Sequence, residues 1–254
     1  PLLASRTGLD PVASRLAGNP QWGSPSELWP LGTDSLRRSV WAQLVWGSRI
    51  SLFVGLAATV VTIALGTIVG VVAGFVGGRV EGVLMRLTEW FLVIPFLPLA
   101  IVLASVLGRS VWNIIFVIGV TSWPSTARLV RAQVLTIKQR LFVDRARSLG
   151  ASGPRIVARH ILPNVSGLIL ANATLAVPIS ILTETTLSFL GLGDPERASW
   201  GKMLNDAYEN SALTTNAWWW FVPPGLAILL VVLAFTLIGQ TLEPIADPRL
   251  KGRL

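Results

Sequence analysis

Apolar residues run along this chain in stretches too long and too continuous for the stripe of an ordinary surface helix. Ile50–Val76, Leu87–Leu107, Val111–Val134, Val165–Leu187 and Trp218–Leu242 each stay mostly apolar over the roughly 20 residues that cross a ~30 Å hydrocarbon core. They predict five membrane-crossing helices, because backbone groups facing lipid must be satisfied within their own segment. The fold class expected is all-α, a polytopic membrane helix bundle. In the first span Gly66, Gly70, Gly74 and Gly78 recur every four residues, which aligns small residues on one face where a second helix can approach closely. In the second, Pro95 and Pro98 each remove a backbone donor and predict a kink near the middle.

Composition agrees with this pattern: 52% of the 254 residues are hydrophobic, 13% are charged, and mean hydropathy is +0.63. The absence of cysteine excludes disulfides, thiolate catalysis and cysteine-ligated metal. A net charge of +8 on so apolar a chain points to loops retained on the cytoplasmic side; no nucleic-acid partner is expected. Residues 135–160 carry Lys138, Arg140, Arg145, Arg147, Arg155 and Arg159 against Asp144 alone, so this loop is predicted to be cytoplasmic. Two crossings away in either direction lie the Gly77–Arg86 loop, with Arg79 and Arg86, and the tail 243–254, with Arg249, Lys251 and Arg253. The transmembrane region is thus 49–242. Residues 1–48, the Gly108–Ser110 turn and the loop 188–217 then face outward, and Trp218, Trp219 and Trp220 are expected in an aromatic belt at the outer interface. Thr33 or Asp34 is expected to cap a short helix from Ser35, lying on the membrane surface through Val40, Trp41, Leu44 and Val45. Five crossings leave the first residue outside; a sixth helix before it would return the chain's start to the cytoplasm.

The chemistry-bearing segment is Phe142-Val143-Asp144-Arg145-Ala146-Arg147-Ser148-Leu149-Gly150-Ala151-Ser152, followed by Arg159-His160-Ile161-Leu162-Pro163-Asn164. It reads as a short amphipathic helix, a glycine turn, a second short helix and a proline opening the next span, a helical knob in the cytoplasm. Composition alone favours the blander reading, an ordinary basic loop retained on the cytoplasmic side. No phosphate-cradling loop is present, since Gly201-Lys202 is followed by Met203 and Glu196 occupies the place of the first glycine. His160, the single histidine, has no companion for a metal site. Glu184 is the ionisable residue nearest a span interior: it either faces a cavity, with Asn172 and Thr174 as further candidate lining of a translocation path, or sits at the outer interface bonding nearby backbone.

The knob resembles the EAA loop of ABC importer permeases, with Asp144, Ala146, Gly150, Leu162 and Pro163 at matching positions. It departs in having Asp144 where Glu is usual and Arg145 where Ala is usual. Further segments resemble the DppC/OppC-like permeases of the dipeptide/oligopeptide importer family: Leu31-Gly32-Thr33-Asp34, Gly47-Ser48-Arg49-Ile50-Ser51-Leu52, Ser122-Trp123-Pro124, Ala127-Arg128-Leu129-Val130-Arg131, Thr186 to Gly193, and Ser199-Trp200-Gly201. The resemblance covers about residues 30–250 and implies a type I ABC importer permease of six spans in the cytoplasmic (inner) membrane, the first of them missing here. It implies a chain that is itself no enzyme and binds no cofactor, with ATP and Mg held by two ATP-binding partner subunits. A second homologous permease and an extracytoplasmic substrate-binding protein, docked against the loop 188–217, complete the expected partners besides membrane lipid. Residues Asp144–Ser152 would form the ATPase-coupling site, moving as a rigid lever. Peptide is the expected cargo; nickel, glutathione and antimicrobial peptides are carried by similar permeases. A self-contained carrier or channel would call for several mid-membrane acids or matching broken helices, and the spans offer only Glu184 and no internal repeat.

Overall fold

The computed structural model describes residues 20–246, with side chains to residue 241; residues 1–19 and the basic tail with Arg249, Lys251 and Arg253 lie outside the described residues. The described chain is helical: α1 Val40–Val76, α2 Gly78–Val93, α3 Phe96–Leu107, α4 Val111–Lys138, α5 Leu141–Ser148, α6 Gly153–Ile156, α7 Leu162–Phe189, α8 Trp200–Glu209 and α9 Trp218–Ala246. A single π turn, Val157–Ile161, joins α6 to α7. Each predicted span lies within this order. By length and apolarity alone, Val40–Val76, the continuous run Gly153–Phe189 and Trp218–Thr241 qualify as spans, and α2 with α3 qualifies as a broken pair. Helix α4 is 28 residues long but carries Arg128, Arg131 and Lys138 in its second half, which dilutes its apolarity.

The proline kink is a full break. Ile94, held extended (ψ 127°) because Pro95 follows it, ends α2, and the chain restarts as α3 at an angle of 92°. The predicted loop Gly77–Arg86 is not a loop: Gly77 and Gly78, both with positive φ, reverse the chain at once, and residues 78–86 form the first turns of α2. The predicted surface helix from Ser35 is likewise absent. Asp34 is buried and spends its carboxylate on the turn that follows, accepting from the Leu36 and Arg38 amides at 2.9 and 2.7 Å and from Arg38 Nε at 2.6 Å. Residues 40–48 are therefore the first turns of the 37-residue α1.

Two compact units divide these helices. The first, in its described part, comprises residues 20–57, 101–115 and 178–234. Its core gathers Val40, Trp200, Met203, Ala207, Trp220 and Ile228, with Trp22 edge-on to Trp220 at 5.3 Å. Only Trp218 of the tryptophan triplet is half exposed. Trp220 is fully buried and Trp219 donates its indole N–H to the Thr33 carbonyl, so these two hold the core instead of a membrane belt.

The second unit, residues 58–100, 116–177 and 235–246 in its described part, rests on the contact of α1 with α4. A Cβ placed on Gly66 would lie 2.5 Å from Thr126 Cβ, one on Gly70 2.6 Å from the Ala127 carbonyl oxygen, and one on Gly74 2.9 Å from Val134 Cβ. Gly78 does not belong to this stripe: it lies past the end of α1, nothing is within 4 Å of its Cβ position, and its φ of +58° serves the turn. Glu81 of α2 receives Arg131 Nε of α4 at 2.7 Å, both side chains being partly exposed. Glu81→Gln is expected to lower the thermal midpoint of the solubilised protein by only a few degrees, the ~1 kcal/mol of a half-exposed ion pair, with Arg131→Gln no worse and the double variant matching either single one in a thermal-shift assay.

Candidate functional site

Helix α5 is amphipathic. Val143 and Ala146, one turn apart, face the second unit's core, while Leu141, Phe142, Asp144, Arg145 and Arg147 stay exposed. Asp144 and Arg147 form a solvent-facing ion pair at 3.6 Å, and Arg145, the residue departing from the small-residue pattern, points away from the packed face without disturbing it. The helix stops in a Schellman motif: Gly150 sits at φ +78°, its amide donates to the Arg147 carbonyl, and the Ala151 amide donates to the Ala146 carbonyl at 3.0 Å. Chain reversal then leads through Ser152 into α6, with Pro154 in its first turn.

What makes this knob a solid body is its base. Val143, Ile156, Ile161 and Val165 close over Val71 of α1 and Val130, Val134 and Ile137 of α4. Lys138 Nζ donates to the Phe75 carbonyl at 2.6 Å, placing a cation on an otherwise orphan group at the end of α1. The outer surface is left apolar at its tip: Leu149 is 88% exposed and Leu141 76%. The knob is thus packed at its base, with an uncovered apolar tip rimmed by the exposed Arg145 and Arg147.

The other predicted site residues are distributed differently. Asn172 donates to Thr126 Oγ1 at 2.9 Å, tying α7 to α4, and Thr174 bonds the Ala171 carbonyl and lies against Gly239 of α9. Both are engaged in helix packing. Glu184, in the first unit, is 1% exposed and accepts from Ser51 Oγ at 3.1 Å and Ser188 Oγ at 2.8 Å. It lines no open surface, and among the described residues the partners of its carboxylate are the side chains of Ser51 and Ser188, not the nearby backbone. Ser188, four residues on, was detectable from helical spacing; Ser51, on α1, was not.

In the predicted outward loop the structure adds α8. Ser199 caps it, accepting from the Lys202 amide, and Arg38 and Lys202 both reach Asp206. Beside them a small cavity of about 50 Å³ is walled by Gln43, Pro195, Glu196 and Met203.

A family model, the binding-protein-dependent transport system inner membrane component, matches residues 66–252, taking in the α1–α4 contact and the whole knob. The chain belongs to that family. It is a permease of the inner membrane. It is 40% identical over 228 residues to the oligopeptide transport system permease protein OppC of Bacillus subtilis (strain 168), covering 89% of this chain and 74% of that protein. It is also 40% identical over 221 residues to the dipeptide transport system permease protein DppC of the same organism, covering 87% and 68%. The glutathione transport system permease protein GsiD of Pectobacterium atrosepticum is 37% identical over 229 residues, 90% of this chain and 75% of that one. Among solved structures, a chain from inward-facing conformations of the MetNI methionine ABC transporter superposes with a TM-score of 0.63 over 81% of this permease and 96% of that chain. At 16% identity that likeness concerns the fold alone, and the fold is that of an ABC importer permease.

Proposed function

We propose that this permease forms one half of the transmembrane pathway of an ATP-driven importer of di- and oligopeptides, working with a second permease, two ATP-hydrolysing subunits and an extracytoplasmic peptide-binding protein. The observation that carries the coupling is the knob Asp144–Ser152: a short helix with its inner face locked into α1, α4 and α7 and its apolar tip uncovered. A partner gripping the tip displaces the helices at its base, so ATP-driven closure of the partners can bias two packed arrangements of the spans. The chain performs no chemistry itself; ATP and Mg belong to the partner subunits. Peptide as cargo is supported by the oligopeptide and dipeptide relatives. The glutathione relative favours a second reading within the same class, since glutathione is itself a small peptide.

The test is isolation of the complex from its native membrane in mild detergent through a tag on this chain, with mass spectrometry of what accompanies it. A second permease, an ATPase pair and a binding protein are expected, and loading the recovered binding protein with peptides or glutathione decides the cargo. Recovery of this chain alone, competent for transport in proteoliposomes, would overturn the importer.

A further inference from the structure

The helix of the outward loop is held at its N-terminal end by one buried carboxylate. Trp200, the first residue of α8, donates its backbone N–H to Ser51 Oγ of α1 at 3.1 Å, and the Ser51 hydroxyl donates onward to Glu184 Oε2 of α7. The other carboxylate oxygen accepts from Ser188, and the hydroxyl of Ser199, the cap of α8, also interacts with it. Thus α1, α7 and α8 all converge on one acceptor. The seat around it is cut to fit: a Cβ on Gly201 would lie 2.5 Å from the Thr185 carbonyl oxygen, and one on Gly47 3.3 Å from the Ser199 backbone. The Trp200 indole N–H adds a bond to the Leu44 carbonyl at 3.0 Å.

A carboxylate this deeply buried is costly unless its hydrogen bonds are all used, and it needs a reason to be there. Within this chain it is 1% exposed and lines no open surface. Among the described residues its partners are hydroxyls, which can only be gathered in this way by a group that accepts on both oxygens. An apolar side chain of the same size would fill the space and leave three hydroxyls without their acceptor.

We propose that Glu184 is a positioning residue: by gathering Ser51, Ser188 and Ser199 it fixes α8 to α1 and α7, and so presents the outward loop in the one orientation a substrate-binding protein can engage. The docking half of this inference rests on the importer reading above; the fixing of α8 does not. Glu184 acts at the moment the binding protein arrives, not in the ATP-driven stroke. Its loss therefore changes how much binding protein is needed and leaves the turnover of the engaged complex alone.

The chain contains no cysteine, so Tyr208→Cys on α8 and Leu56→Cys on α1, both exposed, give a unique pair for spin labels in this subunit, with the complex lacking the pair as background. In the assembled complex in proteoliposomes, Glu184→Ala is expected to broaden the label distance distribution and to raise the half-saturating concentration of binding protein for ATPase stimulation by about tenfold, with basal and maximal rates kept. Glu184→Gln, which retains one acceptor oxygen, should fall between, and Ser51→Ala should reproduce part of the shift if the alanine variant of Glu184 does not assemble. A narrow distribution and unchanged half-saturation in Glu184→Ala, or in Ser51→Ala should that stand in for it, would overturn the proposal. If the wild-type complex shows no stimulation by any binding protein, the importer reading fails instead, and the label distances alone decide whether Glu184 fixes α8.

Discussion

Replacing Gly70 with valine is expected to lower the thermal midpoint of the solubilised protein by about 10 °C and to leave little of it monodisperse on size exclusion. The Cβ of any residue there would come within 2.6 Å of the Ala127 carbonyl, 2.8 Å of Val130 Cβ and 3.0 Å of the Arg131 amide. Two of these three obstacles are backbone of α4 and cannot rotate aside. The helices must separate, and overpacking of this kind costs about 3 kcal/mol, at 2–4 °C per kcal/mol for a chain of this size. Gly82→Val supplies the control. A Cβ on that α2 glycine meets nothing within 4 Å, so a shift under about 2 °C is expected. Equal shifts for the two variants would mean that the α1–α4 contact does not hold the second unit together.

The second large effect is functional and should appear without a comparable loss of stability. Gly150→Val is expected to reduce uptake by at least about tenfold in cells or proteoliposomes while ATP hydrolysis continues and the thermal midpoint moves only a few degrees. Gly150 has open space around it, so no clash arises. The penalty lies in its φ of +78°, which a β-branched residue adopts only at a cost of about 1–2 kcal/mol. That is small against the stability of the whole chain yet large for a two-residue reversal. The Schellman bonds from Gly150 and Ala151 would loosen, and with them the angle between the tip and its base. Hydrolysis could then proceed without moving the spans. Unchanged uptake in this variant would remove Asp144–Ser152 from the coupling path.

Features fixed by neighbouring residues were the legible ones. The apolar runs, the glycine spacing at Gly66, Gly70 and Gly74, and the reversal at Gly150 are all local and were readable from order alone. So was the place of the break at Pro95, though not its 92° angle, which depends on what the two halves pack against. Features decided by a distant partner were not. Asp34 looked like a helix cap because its competing donors, Arg38 Nε and the Gln43 side chain, could be assigned only once the turn was seen. Trp220 matched the rule for interfacial tryptophan, but Trp22, nearly 200 positions earlier, claims its ring. Helix α8 escaped notice among the glycines and prolines before it, because its stability comes from Trp200, Met203 and Ala207 entering a core built by other segments. Glu184 stood between two readings for the same reason: its decisive partner, Ser51, is 133 residues away.

The π turn at Val157–Ile161 has a consequence for how this permease can change over time. A π turn carries one residue more than the α-helix it interrupts, so it turns everything before it about 100° around the axis relative to an unbroken helix. The azimuth of the knob and the facing of α7 are thereby written in separate stretches of sequence. Residues of α7 can drift to suit new helix neighbours without re-aiming the tip, and the tip can be re-aimed by gaining or losing a single residue at this point.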